Sequence, residues 1–277
     1  MIENRQMRVE ELPEVLNWAA EEGWNPGLDD PGTFWAADPS GFFVASDNDG
    51  PVAAISVVNH SDAMAFLGLY LVRPDYRGRG IGFSLWQHAL AHAGDRAVAL
   101  DGVPAQQANY QRSGFVLTGQ THRYAGRFSA AKHPSVRPFV PSDLPQLAKL
   151  DKLAQGYSRD AFLQAWWTTP SANRRSLVDA DGERVQGVVT FRRCREGTKI
   201  GPLLAPDMKS AGALLRAAAG QAEAPFIIDV PGHQTELAAW CEANSLKVSF
   251  ETARMVRGTP PSFDDSIIQS VATLELG

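Results

Sequence analysis

The sequence predicts an α/β (α+β) protein made of two tandem copies of one fold, each a mixed, mostly antiparallel twisted sheet flanked by helices. Three observations predict it. Asp47-Asn-Asp-Gly50 lies between two apolar runs and reads as a hairpin turn early in the strand order. A strand, a glycine-rich loop and a helix then follow one another between Ala63 and Leu90. The same landmarks recur after a nearly constant interval.

The elements follow in order. Leu12, Val15, Leu16 and Ala19 fall at helical spacing, and that helix stops at Gly23 before the turn-rich Trp24-Asn25-Pro26-Gly27. A second short helix covers Pro31 to Ala37. Gly41 to Ser46 and Val52 to Val58 are the hairpin strands, because Asp-Gly supplies the positive φ of a tight turn. Ala63 to Val72 is apolar almost throughout, as in a strand buried on both faces. After the glycines, Ile81, Leu85, Ala89 and Leu90 make the apolar stripe of a helix. Arg96 to Leu100 is a short strand, and Pro104 to Arg112 is a helix ended by Ser113-Gly114. Phe115 to Leu117 and Thr121 to Arg127 close the half as two strands. The polar stretch from Arg127 to Val136 reads as a linker between domains at 1–128 and 135–277.

The second half echoes the first. Asp179-Ala-Asp-Gly182 repeats the hairpin turn. Pro206-Asp207 stands 132 residues after Pro74-Asp75, Asp229 stands 128 after Asp101, and Thr252-Ala-Arg254 stands 131 after Thr121-His-Arg123. Landmarks in the same order at near-constant offset are the signature of duplication.

Composition narrows the function. With 44% hydrophobic and 21% charged residues the chain is globular. A net charge of -5 leaves no global basic surface, so no nucleic-acid partner is expected. The 2 cysteines, Cys194 and Cys241, are too few for a disulfide scaffold. Met1 to Pro13 has scattered charges and no apolar core, and no run reaches the ~18 apolar residues of a membrane span. The expectation is a soluble, cytoplasmic protein with no membrane partner.

The loop Arg73-Pro-Asp-Tyr-Arg77-Gly-Arg-Gly80-Ile-Gly82 carries the chemistry. Glycines let the chain turn sharply and approach a ligand closely. The helix that follows presents unpaired amides and the positive end of its dipole. With three arginines this is a phosphate or pyrophosphate site. A P-loop would need Gly-Lys-Ser/Thr, which is absent. A dinucleotide fold would need glycine at position 83, which is Phe83, and would open with a βαβ unit instead of hairpin strands.

Arg77-x-x-Gly80-x-Gly82 after a strand ending in Val72-x-Pro74 resembles the acetyl-CoA motif of the Gcn5-related N-acetyltransferase (GNAT) superfamily. Tyr110-Gln-Arg-Ser-Gly114-Phe115 resembles that family's second motif, Tyr-x-x-x-Gly-Phe. The resemblance covers Met1 to about Phe128 and extends more weakly over the second half. It implies an N-acyltransferase moving an acetyl group from acetyl-CoA to a primary amine, most simply on a small molecule. A protein N-terminus or lysine as acceptor, or a non-catalytic acyl-CoA sensor, are the alternatives.

The resemblance implies a pyrophosphate held on the amides of Gly78, Arg79, Gly80, Ile81, Gly82 and Phe83, beside Arg77, with the pantetheine arm against Tyr70, Leu71 and Val72. Tyr110 would be the acid for the leaving thiolate, since a phenol of pKa ~10 stays protonated at neutral pH. No metal is called for, and no single residue is marked as the base. Glu22, Asp29, Asp101 and His60 are open candidates, and Asp101 reads equally well as structural because Asp229 repeats it. Relatives often carry asparagine where this chain has Val103, so that contact to the pantetheine arm is either missing or replaced by Gln106 or Asn109. The family builds its acceptor pocket after the first helix, which nominates Trp24, Asn25, Phe34 and Trp35; Asp101, after a buried strand, is a further candidate for the cleft.

In the second half Met208-Lys-Ser-Ala-Gly-Ala213 stands opposite the glycine loop and Cys241 opposite Tyr110. The motif is gone, so that copy is expected to be degenerate and non-catalytic. Cys241 is expected to be a buried, inert thiol. His88 and His92 have the spacing of paired zinc ligands but lack the glutamate of His-Glu-x-x-His.

Overall fold

The computed structural model describes residues 2–277. The first half supplies β1 (Glu3–Gln6), α1 (Leu12–Glu21), α2 (Asp30–Ala37), β2 (Phe42–Asp47), β3 (Gly50–Asn59), β4 (Met64–Val72), α3 (Ile81–Leu90), β5 (Ala97–Gly102), α4 (Gln107–Arg112) and β6 (Val116–Gly126). The second supplies β7 (Val136–Pro138), α5 (Leu144–Gln155), α6 (Asp160–Thr168), β8 (Arg174–Asp181), β9 (Arg184–Arg193), β10 (Thr198–Ala205), α7 (Met208–Ala219), β11 (Phe226–Pro231), α8 (Thr235–Ala243), β12 (Lys247–Arg257) and β13 (Ile268–Ser270).

Local expectations correspond closely to the elements they cover; β7 and α6 are not among them, and three further features differ. The two strands expected at 115–117 and 121–127 are one unbroken strand, β6. The edge strand β1 is polar and lacks the alternation that marks a strand; it forms because it pairs with β2. β13 is short and pairs with β10.

The larger difference is in the sheet. The described strands form one sheet in the order β1-β2-β3-β4-β5-β12-β6-β11-β10-β9-β8-β7, with β13 beside β10. The halves exchange strands: β12 of the second half pairs with β5 of the first, and β6 of the first pairs with β11 of the second. β6 and β12 pair antiparallel with each other at the joint. Each half therefore completes its sheet with a strand from the other.

The duplicated charges show the same crossing. Asp101 on β5 takes a bidentate ion pair from Arg254 on β12 at 2.7 and 2.8 Å. Asp229 on β11 takes one from Arg123 on β6 at 2.7 and 3.0 Å. Outside the joint, Arg5–Glu11 and Arg137–Asp143 form another repeated pair, one within each half. On one face of the sheet α1, α2, α5 and α6 pool their apolar side chains into a single core through Leu12, Phe34, Phe162 and Trp166. On the other face α3 and α4 cover the first half, and α7 and α8 cover the second.

Candidate active site

β4 and β5 run parallel and pair only from Met64↔Ala97 to Leu67↔Leu100. Beyond that point they part. A bulge drives β4 away: Ser56 faces Gly68 and Ala54 faces Leu71, so Leu69 and Tyr70 stand opposite Ile55 alone. Leu69 sits at φ 48°, a left-handed conformation unusual for leucine, and such strain gathers at functional sites. Gly68, Leu69 and Tyr70 line the resulting V.

The loop after β4 ends in α3. Gly78 and Gly80 hold φ 75° and 76°, and Gly80 is the left-handed N-cap of α3 with no side chain capping it. Among the described residues, no acceptor pairs with the main-chain amides of Gly78 through Phe83. They form an open row of donors at a helix N-terminus, an arrangement able to cradle an anion. A Cβ on Gly82 would stand 2.7 Å from the Tyr70 hydroxyl and 2.9 Å from Val72, so glycine here lets the helix pack on the strand. Arg77 turns back, donating to the Val72 carbonyl at 2.9 Å and to Glu22. Arg79 lies over the Tyr76 ring at 5.0 Å.

From this cradle a groove runs past Phe83, Asn109 and Ser113 to Tyr70 and Tyr110. There it meets a cleft that passes through the V and is lined on the far face by Trp24, Phe250, Thr252 and Leu274. Tyr110 stands where the two spaces join. Its ring stacks on Trp86 at 5.5 Å. It fits because position 102 is glycine: a Cβ there would lie 2.6 Å from the ring. Burial pushes the Tyr110 phenol well above its usual pKa, and Tyr70 beside it adds to the shift. Gln106 lines the cleft and Asn109 the groove, bonded to each other at 2.6 Å.

The acceptor-side nominees divide. Trp24 and Asp101 line the cleft. Asp101 is buried with both carboxylate oxygens bound to Arg254; burial raises its pKa and the arginine opposes that shift. Asn25 spends its amide on the backbone of Glu196 across the joint, and Trp35 stacks on Phe42 in the core. Phe34 is fully buried in the same core. None of these three lines the cleft. Phe250, Thr252 and Leu274, which do, come from the second half and carried no sequence signal.

Two family models match the chain: the acetyltransferase (GNAT) family over residues 9–115 and an acetyltransferase (GNAT) domain over residues 147–268. The chain is 34% identical over 273 residues to the holothin acyltransferase of Pseudoalteromonas sp. (strain SANK 73390), covering 97% of this chain and 92% of that protein. The chain belongs to the GNAT superfamily. It is a GNAT-type acyltransferase in tandem form. A solved structure from Pyrococcus horikoshii shares the fold at a TM-score of 0.83 and 20% identity, over 100% of this chain and 96% of that one. The tandem GNAT protein of the clavulanic acid biosynthesis pathway shares it at 0.63 and 14%, over 95% and 100%.

The second GNAT copy has the same frame with its openings closed. The Asp207 side chain caps α7 by accepting from the Ser210 amide at 2.8 Å, placing a carboxylate where the first copy has open amides. β10 and β11 also part, but β13 fills the V: it pairs with β10, and the Val271 amide donates to the Asp229 carbonyl at 2.9 Å. Cys241 replaces Tyr110, and burial pushes its thiol up to about 12. Behind the V lies a buried network in which Arg123 pairs with Asp229, Arg192 pairs with Asp30, and Lys199 donates to the Trp24 carbonyl. The segment after β13 then crosses to the first copy, where the Glu275 carbonyl packs on Gly68 and Leu274 enters the cleft.

No helix among the described residues is long and apolar enough to cross a membrane. His88 is exposed and His92 is bonded to Asp38 at 2.8 Å.

Proposed function

We propose that this chain moves an acetyl group from acetyl-CoA to a primary amine on a small molecule by direct attack on the thioester. The observation that carries this reading is the junction at Tyr110 of an open anion cradle and a cleft through the parted strands. The free amides at Gly78 to Phe83 suit a pyrophosphate, and the unpaired edge of β4 suits the pantetheine arm as an added strand. The thioester carbon then lies in the V, and the amine approaches from the side of Trp24.

The amine forms the C–N bond as the C–S bond breaks. With its pKa raised, the Tyr110 phenol stays protonated and donates a hydrogen bond to the developing thiolate, while the proton that ends on sulfur comes from the amine. The far side of the cleft is walled by Trp24 and by Leu274 from the second copy, which favours a compact acceptor over a polypeptide. The relative named holothin acyltransferase favours catalysis over sensing, and holothin is the first acceptor to test.

The test is thiol release from acetyl-CoA over an amine panel, with calorimetric titration of acetyl-CoA into wild type and Gly80→Glu. A Cβ on Gly80 meets open space, so the substitution places a carboxylate in the cradle without a clash, although its left-handed φ of 76° adds backbone strain at the loop. One site per chain is expected, at least about tenfold weaker in the variant from lost amide geometry and added charge repulsion. Unchanged affinity in a folded Gly80→Glu protein would refute the cradle.

A further inference from the structure

The residues that line the acceptor side of the cleft present no free charge. Among the residues lining it, Asp101 is the only carboxylate. Arg254 grips both its oxygens, so the pair presents no net charge to a ligand. The duplicate pair Asp229–Arg123 has the same bidentate geometry in a copy with neither cradle nor tyrosine. The arrangement therefore belongs to the joint between the halves, and catalysis is not what maintains it. Glu275 follows Leu274 in the tail and keeps one buried carboxylate oxygen without a partner among the described residues, but it lies outside the cleft lining, near Arg123, Asp229 and Lys199. His60 is bonded to the Leu276 carbonyl at 2.7 Å. Tyr70 and Tyr110 both have raised pKa values and stay protonated.

An alkylamine is a poor match for such a wall. With a lysine-like pKa of ~10.4 it is cationic at neutral pH, so it must shed water with no counter-charge in the lining and lose a proton with no base in the lining. The wall instead offers the rings of Trp24 and Phe250 and the Leu274 side chain. It also offers one polar group with nothing to bond: the Thr252 hydroxyl is buried and has no partner among the described residues. A buried orphan hydroxyl costs about 1–3 kcal/mol unless something satisfies it.

We infer that the acceptor is a flat, conjugated amine, uncharged at neutral pH, that lies against Trp24 and Phe250 and takes a hydrogen bond from Thr252. This rests on the acyltransferase reading above. The nitrogen arrives with its lone pair free, so no residue is needed to deprotonate an ammonium. The C–N bond forms, the C–S bond breaks, and one amine proton passes to the thiolate to leave amide and free CoA thiol. Thr252, from the second copy, is a specificity-determining residue for the first.

The test uses the full chain with saturating acetyl-CoA and two isomeric amines, 4-methylaniline and benzylamine, from pH 6 to 9, with Thr252→Val and Thr252→Ser alongside. For 4-methylaniline kcat/KM is expected to stay constant within about twofold, because the amine is already neutral; for benzylamine it climbs about tenfold per pH unit with the neutral fraction. Thr252→Val is expected to raise KM for 4-methylaniline about tenfold with kcat little changed, and Thr252→Ser to restore it. A benzylamine rate that is flat between pH 7 and 8 reveals a protein base and overturns the inference, as does an unchanged KM in Thr252→Val. Either result leaves the transferase reading standing. Failure of acetyl-CoA to bind at all in the calorimeter removes both.

Discussion

Gly102→Ala probes how tightly the fold fixes Tyr110. The added Cβ would stand 2.6 Å from Cε2 and 2.8 Å from Cδ2 of that ring, and 3.1 Å from Leu100. Carbon atoms settle at about 3.5–4.0 Å, so the ring must retreat by about 1 Å. It has little freedom to do so, because Trp86 stacks on it and is itself wedged by Tyr70 and Phe115. Gly102 does not occupy the left-handed region, so alanine costs nothing in backbone strain and the effect is steric alone. Overpacking of this kind costs about 1–3 kcal/mol. Displacing a reacting group by about 1 Å costs about 100-fold in rate. Thiol release at saturating acetyl-CoA should therefore fall about 100-fold, with a modest drop in melting temperature and near-normal acetyl-CoA affinity by calorimetry, since the cradle is untouched. If kcat stays within about twofold of wild type in a folded protein, Tyr110 is not held in reacting geometry and its role fails.

Two stability predictions follow from the charges. Arg123→Ala leaves Asp229 buried and unpaired at the joint and should cost about 3–5 kcal/mol in urea unfolding, whereas Arg77→Ala, whose partner Glu22 is exposed, should cost under about 1 kcal/mol. Equal losses would show that the crossed pairs do not hold the halves together. His60 is held neutral, its pKa lowered to about 4, chiefly by burial and then by Arg159. The unfolded chain binds the proton first, so the His60 contribution is whole above pH 6.5 and is lost as the pH falls from 6.5 to 4, by up to about 3 kcal/mol. His60→Gln should flatten that part of the urea-midpoint profile, and an unchanged slope would show that His60 is not the group responsible.

The local geometry of the candidate site was legible in the sequence because it is short-range. Gly78 and Gly80 announce a left-handed turn wherever they occur, and the structure puts both at φ near 75°. The apolar run to Val72 marks a central strand, and the Ser113-Gly114 stop places Tyr110 in the last turn of α4. Gly102 was visible as a residue but not as the space beneath Tyr110, since the two meet only after α4 folds back. The loss of the glycine motif and of the tyrosine in the second copy was also legible at Met208 to Ala213 and at Cys241, though not the β13 strand that fills its V.

What the linear pattern left undetermined is which strand each half receives. β6 and β12 are repeats: both alternate the same faces and both carry an arginine for an aspartate on a β5-type strand. Pairing within a half or across halves satisfies that alternation equally well, so propensity and periodicity are blind to the choice. Chain connectivity and packing make it, over separations above a hundred residues, and the crossed choice delivers Phe250 and Thr252 to the first copy's cleft. The cradle and the tyrosine are thus set by neighbours in the chain, while the wall that meets the acceptor exists only once two copies have exchanged strands.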